Sequence, residues 1–382
     1  MNKREFLKTL GSAAAFMYLN PLKAIGTGYK ASSDKNVLML GGRNYLGPSI
    51  VNKFLEHGYN VTLLNRGITN PHFFNELPVI ICDRELENKE GIKAVSSEIK
   101  NQHWDIVVDT WQKSPKAVSD FVEEFKDNIG HYHYISTMSV YDKWDDKHII
   151  ESAPLNPLPA SPKNISDEYR YAIRKTFSEV AITENLDTYT IYRSHGMKSY
   201  RATRPTDPNA EAYWPIRFMR GGEILVPDVE SHHLQVTDVQ SLCNFIINCS
   251  ENRTYGAFNV AYDPTPFKDY VSSLILATQM PKKLHWITGE FLIENGLPPY
   301  EVVPLWKPSP KGSYYFNVQK ARNAGLVNRP MAEMITDQLN GYKSRYPSNP
   351  IKFGEEMNGQ MIKYISKAKE EEVIRKWIEF KN

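Results

Sequence analysis

Cysteine is scarce in this chain: three in 382 residues, at Cys82, Cys243 and Cys249, an odd number without metal-like spacing. Disulfide scaffolding and structural zinc are excluded as organising devices. A dominant charge is also lacking, with 46 Lys plus Arg against 44 Asp plus Glu and a formal net charge of +2. That balance argues against nucleic acid or an anionic membrane surface as partner. Long apolar runs are missing too. The stretch at 9–19 falls short of the roughly 20 residues a membrane helix needs. No internal repeat is apparent.

What is present begins with a leader. Asn2, Lys3, Arg4 and Lys8 form a basic start, the modest apolar run follows, and Leu22-Lys23-Ala24 reads as an A-x-A-like cleavage site. Residues 1–30 resemble a bacterial twin-arginine export leader, with Lys3 in place of its first arginine. The expectation is a periplasmic protein with no membrane span once the leader is removed. The alternative is a disordered tail on a cytoplasmic enzyme.

From Asn36 the chain alternates apolar β-rich runs with amphipathic stretches. Strands are expected at 37–40, 61–64, 79–82, 106–108, 133–136 and 189–192, with helices at 48–57, 89–100, 115–125 and 169–185. Such βαβ alternation with fully apolar strands predicts an α/β fold, a Rossmann-type doubly wound parallel sheet. The dinucleotide-binding domain is expected over 34–192, with returning segments at about 223–262. A smaller C-terminal substrate lobe takes 193–382. It includes a proline-studded loop at 297–311 and ends in a charged helix at 367–380, read as a solvated surface element.

The first strand runs into Gly41, Gly42, Arg43, Asn44, Tyr45, Leu46 and Gly47. Glycines at the tight turn let a pyrophosphate approach the backbone, and Gly47 lets the next helix pack closely with its N-terminal amides toward the phosphates. Asn44 stands at the central position, where it can adopt a left-handed backbone. The end of the second strand carries Asn65 and Arg66 in place of a carboxylate for a ribose 2′-hydroxyl. With Arg43 nearby, this favours NADP over NAD, because arginine suits a 2′-phosphate. In the alternative, Arg66 stacks on adenine while NAD binds.

Thr137 lies at the end of the fifth strand, and Tyr171 precedes Lys175 by four residues on one helical face. A lysine there stabilises the phenolate and makes Tyr171 a usable general acid or base. Thr137 can orient a substrate oxygen. Trp111, after the fourth strand, is expected beside the nicotinamide by the switch-point rule. His131 with His133, and His232 with His233, lack a carboxylate or cysteine to complete a metal set, so no metal is expected. Ser139, His195 and Trp214 are weaker substrate contacts, and Arg193 and Arg217 could line a pocket for a polar or anionic substrate.

Together these residues resemble the NAD-dependent epimerase/dehydratase family, the extended and atypical short-chain dehydrogenase/reductases. The resemblance runs from about 36 to 337. Besides the glycine turn and the Tyr171/Lys175 pair, it rests on Leu64-Asn65-Arg66-Gly67, Cys82-Asp83-Arg84, the 135–141 segment, Pro205-Thr206-Asp207-Pro208 and Tyr213-Trp214-Pro215. It implies a catalytic trio of Thr137, Tyr171 and Lys175, an adenine contact at Asp83 and Arg84, and a sugar or sugar derivative as substrate. An insertion at 144–164 is expected to form a lip near that substrate. The expected function is NAD(P)-dependent oxidoreductase, epimerase or dehydratase chemistry by hydride transfer at a carbinol or carbonyl. The competing function is a non-catalytic dinucleotide-binding sensor. Self-association is left open.

Overall fold

The computed structural model describes residues 34–144, 148–159, 170–198, 212–228, 233–299, 303–304, 315–347, 351–357, 360–362 and 364–382. The leader, the segment carrying Pro205 to Pro208, His232, and parts of the 144–164 insertion and the 297–311 loop lie outside the described residues.

The first half contains β1 (Asn36–Leu40), α1 (Gly47–Glu56), β2 (Asn60–Asn65), β3 (Val79–Ile81), α2 (Glu90–Ala94), α3 (Ser96–Lys100), β4 (Ile106–Asp109), α4 (Pro115–Phe125), β5 (Tyr132–Thr137), α5 (Tyr171–Asn185) and β6 (Tyr189–Ser194). The single helix expected at 89–100 is two, broken where Val95 leaves helical geometry (φ −109°, ψ 6°). The second half adds α6 (Tyr213–Arg220), β7 (Gly222–Asp228), β8 (His233–Leu234), α7 (Val239–Asn252), β9 (Gly256–Val260), β10 (Thr265–Pro266), α8 (Phe267–Thr278) and β11 (Lys282–Thr288). It ends with α9 (Gly289–Glu294), α10 (Gln319–Asn323), α11 (Met331–Arg345) and α12 (Lys367–Lys381).

Side chains of β1 alternate between two cores. Val37 and Met39 pack with Ile50, Val51 and Phe54 of α1, and Leu38 and Leu40 pack with Phe121 and Phe125 of α4. A strand covered on both faces requires helices above and below a parallel sheet. Each such buried side chain contributes roughly 1.5–3 kcal/mol of burial free energy. The sheet is parallel throughout, in the order β3-β2-β1-β4-β5-β6-β9. Strand order reverses beside β1, which pairs with β2 on one edge and β4 on the other. A crevice opens at the carboxyl ends of the strands at that switch point.

Only part of the returning segment joins this sheet. β9 does, beside β6. β7 pairs in parallel with β11 and forms the centre of the second lobe. The core of that lobe includes Trp214, Ile216, Leu225, Tyr270 and Ile335. The tail helix is no solvated appendage. Val373, Ile374 and Trp377 of α12 are buried in the lobe core, and the buried Glu370 pairs with Arg217. Spacings of three and four place these residues on one helical stripe, which the flanking charges obscure in sequence.

Candidate active-site cleft

The glycine turn ends β1 at the switch point. Gly41 and Gly42 adopt φ of +107° and +88°, where side chains are strained. A Cβ on Gly42 would lie 2.9 Å from Leu63. A Cβ on Gly47 would lie 2.8 Å from the backbone of Gly42, so α1 approaches the turn as closely as expected of that position. The left-handed non-glycine residue of the turn is Tyr45 (φ +51°), and not Asn44. The Asn44 carbonyl instead accepts the Gly47 amide at 2.9 Å. No side chain caps the N-terminus of α1. Within its first turn Pro48 has no N–H, and the Gly47 and Ser49 amides donate to the carbonyls of Asn44 (2.9 Å) and Leu46 (3.0 Å).

A cleft of about 310 Å³ follows this turn across the carboxyl ends of the strands. Gly41, Gly42, Arg43, Asn44, Tyr45, Leu46, Asn65, Arg66, Asp83, Arg84, Trp111, Tyr171 and Lys175 all line it. Gly47 lies behind the wall as a packing residue.

Asn65 works for the turn itself: its Nδ2 donates to the Gly41 carbonyl (3.0 Å) and its Oδ1 accepts the Gly67 amide (2.8 Å). Arg66 is two-fifths exposed and stands 4.0 Å from Asp83. Arg43 is buried, and its Nε has no hydrogen-bond partner among the described residues.

Arg84 forms part of the floor. Its guanidinium donates to Asp109 (2.8 Å) and to the Ala117 carbonyl (2.9 Å), both deep in the protein. Burial opposes the charge on Asp109, but Arg84 and the Tyr132 hydroxyl (2.6 Å) outweigh it and hold the carboxyl below its usual range. The other oxygen of Asp109 accepts the Trp111 amide at 2.8 Å. A charged pair beneath the turn thus fixes the backbone of Trp111. An aspartate ending a wholly apolar parallel strand, with Arg84 just past the previous strand, was the available signal for this pair.

Lys175 is buried, and its ammonium donates to the carbonyls of Ile135 (2.6 Å) and Trp111 (2.7 Å) and to the Tyr134 hydroxyl (3.0 Å). Burial pushes its pKa down to about 7, against the opposing charges of Asp109 and Glu179. Tyr134, which the sequence reading did not single out, also lies beneath the ammonium, 4.3 Å from ring centroid to Nζ. Tyr171 opens α5 one turn above and is 38% exposed. Thr137 ends β5, caps the next turn by accepting the Ser139 amide (3.2 Å), and sits 3.3 Å from the Ser139 hydroxyl. Neither Thr137 nor Ser139 is in the wall of this cleft, which includes Ile135 and Ser136.

Three expected pocket residues belong elsewhere. Trp214 is buried in the lobe core, its Nε1 donating to the Pro304 carbonyl (2.8 Å). Arg217 is paired with Glu370 at 2.7 Å. Arg193 is buried against Glu179 (2.7 Å) and also donates to the Tyr141 hydroxyl and the Glu151 carbonyl. Each is a structural contact, which residue type alone does not reveal. His131 and His133 are buried, bonded to Thr190 (2.7 Å) and Tyr192 (2.8 Å). Among the described residues no cluster of three metal-ligating side chains occurs and no helix is long and apolar enough to cross a membrane.

No family model matches the sequence, and no curated protein matches it. Solved structures do match in fold. The Bordetella bronchiseptica enzyme WbmH in complex with NAD+ has a TM-score of 0.57 at 16% identity, over 83% of this chain and all of that one. UDP-glucuronic acid 4-epimerase from Bacillus cereus, in complex with NAD, gives 0.55 at 14%, over 81% and 99%. UDP-glucose 4-epimerase from Thermotoga maritima, with UDP-glucose, gives 0.56 at 16%, over 81% and 99%. These likenesses establish a shared architecture: the seven-stranded Rossmann-like sheet with a smaller C-terminal region, as found in NAD-dependent sugar-nucleotide epimerases.

Proposed function

We propose that the chain is an NAD(P)-dependent oxidoreductase, epimerase or dehydratase of the extended short-chain dehydrogenase/reductase type, acting on a carbinol or carbonyl of a sugar-like substrate. The observation that carries this reading is one cleft lined by both the glycine turn and the Tyr171/Lys175 pair. The turn fits a dinucleotide: its positive-φ glycines bring bare backbone to the wall of the cleft, and Gly47 lets α1 approach that backbone closely. A nicotinamide held there would supply a hydride acceptor or donor.

Tyr171, at the exposed start of α5, takes the proton from a substrate hydroxyl or returns it to a carbonyl oxygen. The Lys175 charge lowers the cost of the phenolate. Thr137 orients the same oxygen. The cofactor is read as NADP, with Arg43 and Arg66 receiving the 2′-phosphate. The buried Arg43 Nε without a partner supports this, as does the commitment of Asn65 to the turn. We also propose that the leader exports the folded protein.

A second reading, a dinucleotide-binding module without turnover, draws support from Lys175. Its three ammonium protons already have protein acceptors. The two readings separate on Tyr171→Phe. With a panel of free sugars, glycosides and sugar nucleotides, an enzyme converts at least one of them, read by chromatography of the products and, for net oxidation or reduction, also by reduced-nicotinamide absorbance, and the variant loses about 10²–10⁴-fold in rate while still binding dinucleotide. Unchanged turnover in the variant would remove Tyr171 from the mechanism. A bound dinucleotide with no turnover on any substrate would favour the module.

A further inference from the structure

Tyr134 occupies a position where the fold asks only for an apolar side chain. It lies in the middle of β5, fully buried, in the core that also holds Val107, Phe121 and Ile182. Its hydroxyl nevertheless meets Lys175, 41 residues further along the chain. An ammonium only donates and a carbonyl only accepts, so the partners fix where each proton lies. Lys175 Nζ donates to the Tyr134 hydroxyl (3.0 Å), and that hydroxyl donates to the Trp111 carbonyl (3.2 Å). Lys175 also donates to the same Trp111 carbonyl (2.7 Å). Three hydrogen bonds thus close a ring through β5, α5 and the segment after β4.

The ring is anchored from outside itself. The Trp111 amide donates to Asp109 (2.8 Å), which is paired with Arg84 (2.8 Å). The remaining Lys175 donor goes to the Ile135 carbonyl (2.6 Å). Burial holds the Tyr134 phenol well above its usual pKa, and the charge of Asp109 adds to the shift. The hydroxyl therefore keeps the proton that it donates. Lys175 and Trp111 both line the dinucleotide cleft, whereas Tyr134 is not part of its wall.

The groups facing the ammonium leave its charge finely balanced. Burial is the largest influence and brings Lys175 down to about 7. Asp109 at the end of β4 and Glu179, one turn further along α5, favour the charge, and Arg174 opposes it. Tyr134 on β5 and Tyr171, one turn earlier on α5, are the phenols beside it. A charge in this balance depends on every acceptor it has.

We propose that Tyr134 is a positioning residue for Lys175: its hydroxyl completes the acceptors of the ammonium and holds that charge against the Trp111 carbonyl, beside Tyr171. This rests on the dinucleotide-enzyme reading and deepens it by adding a buried third member to the Tyr171/Lys175 pair. Phenylalanine at 134 keeps the ring and removes the acceptor. One ammonium proton is then left without a partner, so the charged form is held less well and Lys175 loses its proton at lower pH.

The test is trace acetylation of the full chain with isotope-labelled acetic anhydride, from about pH 5 to about pH 10, with the Lys175 peptide followed by mass spectrometry. Only the neutral amine reacts, so the labelling midpoint reports its proton. In Tyr134→Phe the midpoint is expected about one pH unit below that of the wild type. In Tyr192→Phe, which removes a buried phenol hydroxyl bonded to His133 (2.8 Å), it should not move. Titration with NADPH over the same range gives a second reading. Wild-type affinity should fall as pH rises through about 7, and in Tyr134→Phe the fall should come about one pH unit earlier. A midpoint that stays or rises in a Tyr134→Phe variant shown to be folded by circular dichroism overturns the proposal, whatever the change in stability. So does an NADPH profile identical to that of the wild type. Failure of the wild type to bind NADPH would instead defeat the dinucleotide reading, and the labelling midpoint would still decide the role of Tyr134.

Discussion

Along the glycine turn the cleft is shaped by backbone: glycines at positive φ, a helix start without a side-chain cap, and Asn65 bonded to the Gly41 carbonyl. Beyond the carboxyl ends of β5 and β6 the shape comes from buried side chains that bond distant backbone, such as Gln235 to Phe316 and Asn259 to the carbonyls of Ile149 and Asn317. The first kind of wall tolerates no added side chain but needs few partners. The second depends on a network in which each member leaves a buried polar group stranded when removed. Substitutions on the two sides should therefore fail in different ways, by lost binding on one and by lost stability on the other.

The largest effect expected in the second region comes from the buried ion pair of Arg193 and Glu179. Arg193→Ala strands Glu179 and releases Tyr141, and should cost about 3–5 kcal/mol of stability, measured as a lower urea midpoint. A loss below ~1 kcal/mol would show that water reaches the pair. Gln235→Ala leaves the Phe316 N–H and carbonyl unpaired, for about 1–3 kcal/mol by the same measurement. Beside the glycine turn, Arg66→Ala should change stability by less than ~0.5 kcal/mol, as an exposed surface substitution does. It should weaken NADPH at least tenfold and NADH little. Equal weakening of both would return the cofactor choice to NAD.

A smaller effect separates the deep sheet from both walls. Burial pushes the His131 pKa down to about 4 and that of His133 well below its usual value, with the His131 charge adding to the shift on His133. The unfolded chain binds these protons near pH 6.5 and the folded chain does not. Stability is therefore present above pH 6.5 and falls as pH drops from there toward 4, by up to about tenfold in the folding constant per pH unit for each histidine. His131→Gln should flatten the slope of urea midpoint against pH in that window. An unchanged slope would assign acid sensitivity to other groups.

The same contrast explains what was legible in the sequence. The glycine turn, the parallel strands and the Tyr171/Lys175 spacing are local patterns, written within a few residues of where they act. The roles of Arg193, Arg217 and Trp214 were not legible. Their partners Glu179, Glu370 and the Pro304 carbonyl lie 14, 153 and 90 residues away, so an arginine that suits an anion reads the same as one that neutralises a buried carboxylate. Tyr134 was missed for the related reason that its contact with Lys175 spans 41 residues. At the turn, Asn44 was expected to take the left-handed conformation because propensity favours asparagine there, but Tyr45 adopts it.

The most direct test of the central claim is fluorescence titration of the full chain with NADPH, for the wild type and for Gly42→Val. The account predicts saturable binding at micromolar concentrations, weakened at least tenfold by the valine, in a variant whose folding is checked by circular dichroism. No saturable binding by the wild type, or equal affinity in a folded Gly42→Val variant, would contradict a dinucleotide in this cleft.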